Sequence, residues 1–322
     1  MSKRVAAIDC GTNSLRLLIA DIDPARRELT DIERRMEIVR LGQGVDATGR
    51  LAPEALERTF RVLTDYARLI GDAGATVVRM VATSATRDAS NAAEFSQGVQ
   101  DRLGITPEVI TGLAEARLSF AGATAELAAP GPGQHPEPPY LVVDIGGGST
   151  EFVLGKPGAD ASVVGDLAEI SVDIGCVRLT ERHLHADPPD AAEVAATTAD
   201  IDRALDKVAA AIAVQGARTL VGLAGSVTTI TAIALDLPAY DASKTHHARI
   251  PADRVHAVTA ELLSKTRRER AAIPSLHPGR VDVIGAGALV LDRVMQCFGF
   301  GELVTSEHDI LDGIAWSIAD GG

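Results

Sequence analysis

Two glycine-rich segments carry the residue types that bind phosphate. The first follows Asp9 and the second follows Asp144. A glycine-rich turn lets backbone N–H groups point inward without obstruction from Cβ, and the result is an anion-binding nest. The candidate donors are Gly11, Thr12, Asn13, Ser14, Gly146, Gly147, Gly148, Ser149 and Thr150. One such cluster is usually only a tight turn, but two in register after matching apolar segments predict a phosphate site.

Acidic residues accompany both loops. Asp144 and Glu151 flank the second loop, and Asp9 opens the first. These carboxylates would repel a phosphate unless a cation lay between them. Mg²⁺ suits this position because it binds through one or two carboxylates, several waters and the substrate. We therefore predict Mg²⁺, with Mn²⁺ as the alternative, on Asp144 and Glu151, with Asp9 as a further candidate. The competing interpretation is that both aspartates only cap their turns.

Two charged residues between the loops are candidates for catalysis and phosphate binding. Phosphoryl hydrolysis needs a positioned water and a group that orients or deprotonates it. Glu115 begins a helix after the Thr111-Gly112 turn, although the helix dipole alone also favours a carboxylate there. Arg87, in the string ATSATRDASN, could bind a phosphate through two parallel hydrogen bonds or could be a solvated surface arginine.

The elements that must position these residues form an internal repeat. Val5–Ile8 precedes the first loop as a buried strand, and Leu15–Ile22 follows it as a second strand. Tyr140–Val143 and Glu151–Leu154 repeat this arrangement around the second loop. Elsewhere short apolar runs alternate with helical patterns, which is typical of an α/β protein. The repeat predicts two similar half-domains separated by a cleft.

The remaining segments set the predicted boundaries. A third strand is expected over 36–41, and the proline-rich stretch 130–139 is expected to be a loop or linker. We assign residues 1–127 plus about 304–322 to the N-terminal lobe. Residues 128–303 form the C-terminal lobe.

Composition limits the classes of partner. The formal net charge is −13, whereas a general nucleic-acid binder is usually basic. A polyanion would need metal ions or a local basic groove, for which the runs 244–249 and 267–270 are candidates. The apolar stretches fall short of the roughly 20 residues of a membrane span, and no signal peptide is expected. Cys10, Cys176 and Cys297 are far apart, which favours a reducing cytoplasm.

These segments resemble, in order, those of the exopolyphosphatase and guanosine-pentaphosphate phosphohydrolase (Ppx/GppA) family. The resemblance rests on AAIDCGTNSLRLLI, VATSATRDASN, VITGLAEARLSF and VVDIGGGSTEFV, and later on IGCVRLTE, LAGSVTTITAI and VDVIGAGALVL. That family belongs to the acetate kinase, sugar kinase, heat-shock and actin superfamily. The resemblance implies two actin-like (ribonuclease H-like) domains with an interdomain cleft, in the short two-domain form of the family.

The resemblance also implies an activity. The chain should be a phosphoric anhydride hydrolase, namely an exopolyphosphatase that releases terminal orthophosphate from inorganic polyphosphate. The resemblance also implies a homodimer. Glu115 would activate the attacking water, and Asp144 and Glu151 would hold Mg²⁺ or assist that glutamate. The phosphate-binding positions would be Arg87, Asn13, Ser14, Gly146, Gly147, Gly148 and Ser149. Three alternatives remain: a guanosine pentaphosphate 5′-phosphohydrolase, an ATP-dependent small-molecule kinase, and a non-catalytic sensor of polyphosphate or an alarmone.

The chain departs from the family pattern at two places. The family often has two successive glutamates where this chain has Ala114-Glu115, so only the inner acid is present. Near the C-terminus the family often has Gly-Leu-Arg-Glu-Gly, whereas residues 309–313 read Asp-Ile-Leu-Asp-Gly. No arginine is available there for a phosphate contact.

Overall fold

A computed structural model describes residues 2–319 except 27, 126, 128–135 and 157–166. The predicted linker therefore lies outside the described residues over 130–135, and so does the start of the predicted C-terminal lobe. Residues 136–139 form neither helix nor strand. None of the helices in the described ranges is long and apolar enough to cross a membrane.

The first sheet has five strands in the order β3-β2-β1-β4-β5. Its strands are β1 (Lys3–Cys10), β2 (Ser14–Asp23), β3 (Glu28–Ile38), β4 (Val77–Ala82) and β5 (Glu108–Val109). The central strand β1 runs antiparallel to β2 and parallel to β4. The first glycine-rich loop joins β1 to β2.

The second sheet repeats this topology and has the order β10-β11-β9-β6-β7-β8. Its strands are β6 (Tyr140–Ile145), β7 (Thr150–Gly155), β8 (Ala168–Val172), β9 (Thr219–Leu223), β10 (Arg249–Pro251) and β11 (Glu302–Thr305). Here β6 runs antiparallel to β7 and parallel to β9, and the second loop joins β6 to β7. The predicted α/β class with two similar half-domains is confirmed.

Helices cover the sheets and connect them. In the described ranges they are α1 (Val45–Thr48), α2 (Pro53–Ala73), α3 (Ser84–Arg87), α4 (Ala92–Leu103), α5 (Gly112–Thr124), α6 (Cys176–His183), α7 (Ala191–Ala211), α8 (Ala224–Ala234), α9 (Ala242–Thr245), α10 (Ala252–Ser264), α11 (Arg267–Ala271), α12 (Ile284–Phe298) and α13 (Ile310–Ala319). Each sheet has its own main apolar core, one containing Ile8 and Phe95 and the other containing Leu141 and Val290.

Two helices lie between the lobes. Helix α5 packs on the second sheet, where Phe120 joins a cluster with Tyr140. Helix α13 packs on the first sheet, where Ile314 joins a cluster with Val5. The chain therefore returns to the first lobe after β11.

The predicted bounds of the third strand were wrong. We expected a strand over Met36–Leu41, but β3 ends at Ile38. The next two backbone N–H groups, of Val39 and Arg40, donate hydrogen bonds to the Asn13 carbonyl at 3.1 and 2.8 Å. The chain leaves the sheet there because those donors hold the first glycine-rich loop.

Helices α5 and α13 cross closely because each has a glycine at the contact. A Cβ added to Gly313 would lie 2.1 Å from the carbonyl oxygen of Leu118, and one added to Gly122 would lie 1.9 Å from that of Asp309. The obstructing atoms are backbone, so they cannot rotate away. Any side chain at either position must push the two helices apart.

Gly313→Ala should therefore destabilise the protein. Overpacking of this kind costs typically about 1–3 kcal/mol, and we expect a decrease of at least that size in the free energy of unfolding measured with urea. The matched control is Gly71→Ala in α2, where no atom lies within 4 Å of the added Cβ. Because alanine has the higher helix propensity, that variant should be at least as stable as the wild type. Equal stability of the two variants would contradict the proposed crossing.

Candidate active site

The two glycine-rich loops have the same closure. The Gly11 N–H donates a hydrogen bond to the Ser14 carbonyl at 3.0 Å, and the Gly146 N–H donates to the Ser149 carbonyl at 3.1 Å. Each loop leaves the end of a central strand and returns along the antiparallel neighbour. The sequence repeat is thus also a repeat of backbone geometry.

The carbonyl groups of both loops point away from the cleft. The Thr12 carbonyl accepts from the Gly42 N–H at 2.8 Å, and the Gly147 carbonyl accepts from the Val177 N–H at 2.9 Å. Within the described ranges, no acceptor is paired with the N–H groups of Thr12, Asn13 and Gly147. These amides are therefore available to an anion, as the glycine-rich sequences predicted.

The two loops contact each other, and this contact leaves no room for a side chain at Gly147 or Gly148. A Cβ added to Gly147 would lie 2.9 Å from Cβ of Thr12, and one added to Gly148 would lie 2.4 Å from Oγ of Ser84. The hydroxyls of Thr12 and Ser84 are themselves 2.8 Å apart. Gly148 therefore serves close packing between the lobes.

An open cleft lies between the lobes, where the loops meet. The predicted site residues that line it are Asp9, Gly11, Thr12, Asn13, Ser14, Glu115, Asp144, Gly146, Gly147 and Ser149. Arg87, Gly148 and Glu151 do not line it. The cleft thus brings together most, but not all, of the predicted site.

Two serines, the buried Ser119 and the partly buried Ser171, hold the carboxylates beside the second loop. The Ser119 hydroxyl donates to Oδ2 of Asp144 at 2.6 Å, and the Ser171 hydroxyl donates to Oε1 of Glu151 at 2.7 Å. Burial raises the pKa of Asp144 to about 6. Burial and the neighbouring Asp144 charge raise the pKa of Glu151 to about 8. Burial thus destabilises the ionised form of both carboxylates, and a bound cation would stabilise that form.

Glu115 lies in the first turn of α5. The Thr111 hydroxyl caps this helix by accepting the Ala114 N–H, and the Glu115 side chain points into the cleft. Burial raises the pKa of Glu115 well above its usual value, and the charges of Glu151 and Asp144 act in the same direction. Arg87, whose Nη1 lies 3.4 Å from Oε2 of Glu115, lowers this pKa.

Arg16 lines the cleft but was not among the predicted site residues. It lies opposite Asp9 in the β1–β2 register, as Glu151 lies opposite Asp144 in the β6–β7 register. Its guanidinium binds Asp9, with Nη2 2.6 Å from Oδ2, and also binds Asp309. The repeat contained the signal, because aligning its two copies pairs Arg16 with Glu151.

Arg280 is the second residue that sequence reasoning missed. Its guanidinium lies against Gly225, where an added Cβ would be 1.9 Å from Nη1. Burial lowers its pKa, and the positive charge of Arg16 contributes. No carboxylate of the described residues forms an ion pair with it. Nothing in its local sequence marks it as a site residue, since only tertiary contacts bring it to the cleft.

The predicted basic runs do not contribute to this region. Arg249 pairs with Glu302 and Arg267 pairs with Asp282, each at 2.7 Å. Neither run lines the cleft or the cavity beside it. The cations at the cleft are Arg16 and Arg280 instead.

A second, open cavity adjoins the cleft. Arg16, Ala224, Gly225 and Arg280 line both spaces, so these residues form the neck between them. Its other walls combine apolar, aromatic and cationic side chains, among them Met36, Tyr240, Leu276, Leu311, Arg34 and Arg35. A substrate whose end lies in the cleft could extend into this cavity.

Buried polar atoms without a hydrogen-bond partner indicate whether the site could bind a cation and an anion together. Asp9 Oδ1, Glu151 Oε2 and Asn13 Nδ2 are buried without a partner among the described residues. The two carboxylate oxygens could bind Mg²⁺, and the amide nitrogen could donate a hydrogen bond to a phosphate. Across the described chain no three His, Cys, Asp or Glu side chains group into a metal site. Mg²⁺ needs only one or two carboxylates when the substrate supplies the other ligands.

Known proteins resemble this chain over nearly its whole length. Exopolyphosphatase 2 of Mycobacterium tuberculosis is 50% identical over 98% of both chains. The crystal structure of an exopolyphosphatase-like protein has a TM-score of 0.91 at 41% identity over 98% of both chains. A Ppx/GppA family member from Aquifex aeolicus has a TM-score of 0.80 at 32% identity over the whole of both chains.

The fold and the family follow from these comparisons. The fold is the actin-like two-domain fold of the matched structures. The model of the Ppx/GppA phosphatase family matches residues 18–320, which is most of the chain. This protein belongs to the Ppx/GppA phosphatase family.

Proposed function

We propose that this protein is an exopolyphosphatase that releases terminal orthophosphate from inorganic polyphosphate. One observation carries the proposal: the Glu115 carboxyl group shares a cleft with two loops of unpartnered amides, beside Asp144. Such a site can hold a terminal phosphate and deprotonate a water next to it. The relative named Exopolyphosphatase 2, at 50% identity, supports the substrate class.

In the mechanism, the loop amides bind the non-bridging oxygens of the terminal phosphate. Glu115 accepts a proton from a water that attacks the phosphorus in line. The new P–O bond forms as the bridging P–O bond breaks, and the shortened chain leaves with the electron pair of that bond. The raised pKa of Glu115 makes its carboxylate a better proton acceptor than that of an exposed glutamate, and the nearby charge of Arg87 opposes part of this rise in pKa.

Asp144 and Glu151 would hold Mg²⁺, or Mn²⁺ as the alternative, with Asp9 as a further candidate. When bound, the ion would neutralise charge on the phosphate oxygens. The hydroxyls of Ser119 and Ser171 each occupy one oxygen of a carboxylate and so restrict its rotation. The second oxygen of each carboxylate remains for the ion.

Guanosine pentaphosphate is a second candidate substrate, and the second cavity is the observation that favours it. Its apolar and aromatic walls suit a nucleoside, and the arginines at its neck suit the phosphates that join the nucleoside to the cleft. A non-catalytic sensor would bind the same ligands without releasing orthophosphate. We further propose that the protein acts in the cytoplasm as a homodimer, which light scattering after gel filtration would test.

Replacing the base should abolish turnover. General-base groups contribute typically 10²–10⁴-fold, so Glu115→Gln should lower kcat on tripolyphosphate by about that factor. The control is Glu54→Gln, since Glu54 is also a first-turn carboxylate but lies on α2, outside the cleft. Orthophosphate release would be measured for both variants at saturating Mg²⁺. Unchanged release by Glu115→Gln would remove the catalytic assignment, and binding without release by the wild type would indicate a sensor.

The wall of the second cavity should distinguish the two substrates. Aromatic contacts contribute about 0.5–1.5 kcal/mol beyond area burial, and about 1.4 kcal/mol is tenfold in affinity. Tyr240→Ala should thus raise KM for guanosine pentaphosphate up to about tenfold and leave KM for tripolyphosphate nearly unchanged. Both constants would come from orthophosphate release. No release from guanosine pentaphosphate by the wild type, or an equal rise in both constants, would reject the second candidate.

Mg²⁺ binding should release a proton at neutral pH. With a pKa of about 8, Glu151 is mostly protonated at pH 7 in the metal-free protein, whereas Asp144, at about 6, is mostly ionised. The apparent affinity for Mg²⁺ should therefore rise as pH increases from 6 to 8. Calorimetric titration in two buffers of different ionisation enthalpy would count the protons. Glu151→Gln should weaken binding and eliminate most of the release, and pH-independent binding by the wild type would contradict the metal assignment.

A further inference from the structure

Helix α6 holds the carbonyl groups of the second loop. Its first backbone N–H groups donate to the carbonyls of Gly146 and Gly147 at 3.0 and 2.9 Å. The next carbonyl, of Gly148, accepts instead from a side chain, with Nε of Arg178 2.6 Å away. Three successive carbonyls of the loop are therefore turned towards α6, and one of them depends on an arginine.

The Gly148 carbonyl and the Ser149 N–H belong to one planar peptide group. Because the two point in opposite directions, holding the carbonyl towards α6 directs the N–H towards the other side. Ser149 lines the cleft and is a predicted phosphate-binding residue. Arg178 therefore binds the peptide group of a candidate phosphate donor without lining the cleft itself.

The same guanidinium reaches across to the first lobe. Its Nη1 lies 2.5 Å from Oδ1 of Asp46, and its Nη2 lies 2.5 Å from Oδ2 of Asp88. Asp88 directly follows Arg87, which contacts the candidate base Glu115. The Arg178 side chain is only 11% exposed, whereas Asp46 and Asp88 are 19% and 33% exposed, so the arginine is the buried partner of both charge-assisted bonds.

The first loop has no such dependence. Its Thr12 carbonyl is held by Gly42, and its Asn13 carbonyl is held by Val39 and Arg40. These donors are all backbone N–H groups from one segment of the same lobe. The first nest is thus formed within its own lobe, whereas the arginine that completes the second nest is itself bound by two carboxylates from across the cleft.

We propose that Arg178 is a positioning residue that couples closure of the lobes to assembly of the second phosphate nest. With Asp46 and Asp88 close, its guanidinium is fixed and the Ser149 N–H faces the cleft. With the lobes apart, the arginine loses both carboxylates and the peptide is free to rotate. The kinetic part of the proposal rests on the proposed function, but the effect on the loop does not.

Hydrogen exchange of the free protein tests the loop directly. Arg178→Gln should speed exchange of the amides in 147–149 at least tenfold. The matched control is Arg182→Gln, because Arg182 binds the same Asp46, at 2.6 Å, but does not touch the loop. That variant should leave exchange in 147–149 within about twofold of the wild type. Equal exchange in both variants would overturn the proposal, even if the wild type hydrolysed no polyphosphate.

Kinetics provide the second test. Removing one donor to a developing oxyanion costs about 10²–10³ in kcat, so displacing the Ser149 N–H should lower kcat on tripolyphosphate at least tenfold. KM should change less, because the other loop amides remain. Arg182→Gln should stay within about twofold in kcat. A rise in KM with unchanged kcat would show that Arg178 serves only binding and would overturn the positioning role.

A further variant covers the case in which Arg178→Gln fails to fold. The double variant Asp46→Asn, Asp88→Asn keeps the arginine but removes both cross-lobe charges. Faster exchange in 147–149, together with lower kcat, would support the coupling. Unchanged exchange and kcat would show that the second loop is held by its own lobe alone.

Discussion

The structure depends on a group of carboxylates buried together at one point between the lobes. Asp9, Asp144, Glu115 and Glu151 are nearly inaccessible, and the charges of the other three raise the pKa of Glu115. Burying an unpaired charge is costly, so such groups take up protons or bind cations. The two halves of the repeat differ in the residue that lies opposite the aspartate. Arg16 supplies the cation in the first half, whereas Glu151 occupies the matching place in the second and adds a further acid.

This difference between equivalent positions assigns roles to the two halves. The first half has an internal ion pair between Asp9 and Arg16, with Asp309 on the other side of the guanidinium. One guanidinium thus serves two carboxylates, and Asp9 Oδ1 stays buried without a partner among the described residues, so Asp9 remains a further candidate ligand for the ion. In the second half Glu151 occupies the place of that arginine, so the carboxylates around Asp144 require a bound cation to balance their charge. Metal binding and substrate binding are therefore linked, since phosphate can approach these acids only with a cation between them.

The parts of the site set by local backbone chemistry could be predicted from the sequence. Gly11 and Gly146 begin turns whose hydrogen bonding depends on adjacent residues, and the Thr111 cap fixes the start of the helix that carries Glu115. Tertiary contacts decide the rest. Arg280 lacks a local signal because its guanidinium fits against Gly225, far away in the sequence. The third strand ended early because its neighbours Val39 and Arg40 hydrogen bond to the first loop, which no propensity encodes.

Opposed forces act on the cleft, and their balance decides how firmly the lobes are held together. Mutual repulsion of the buried acids favours separation of the lobes, while ion pairs from Arg178 and Arg182 to Asp46 favour closure. Partly exposed ion pairs contribute modestly, typically about 1 kcal/mol or less, so they hold the lobes together reversibly. A phosphate and its cation would remove the repulsion and leave the ion pairs unopposed. The substrate would then stabilise the closed state in which Glu115 and both loops face it together.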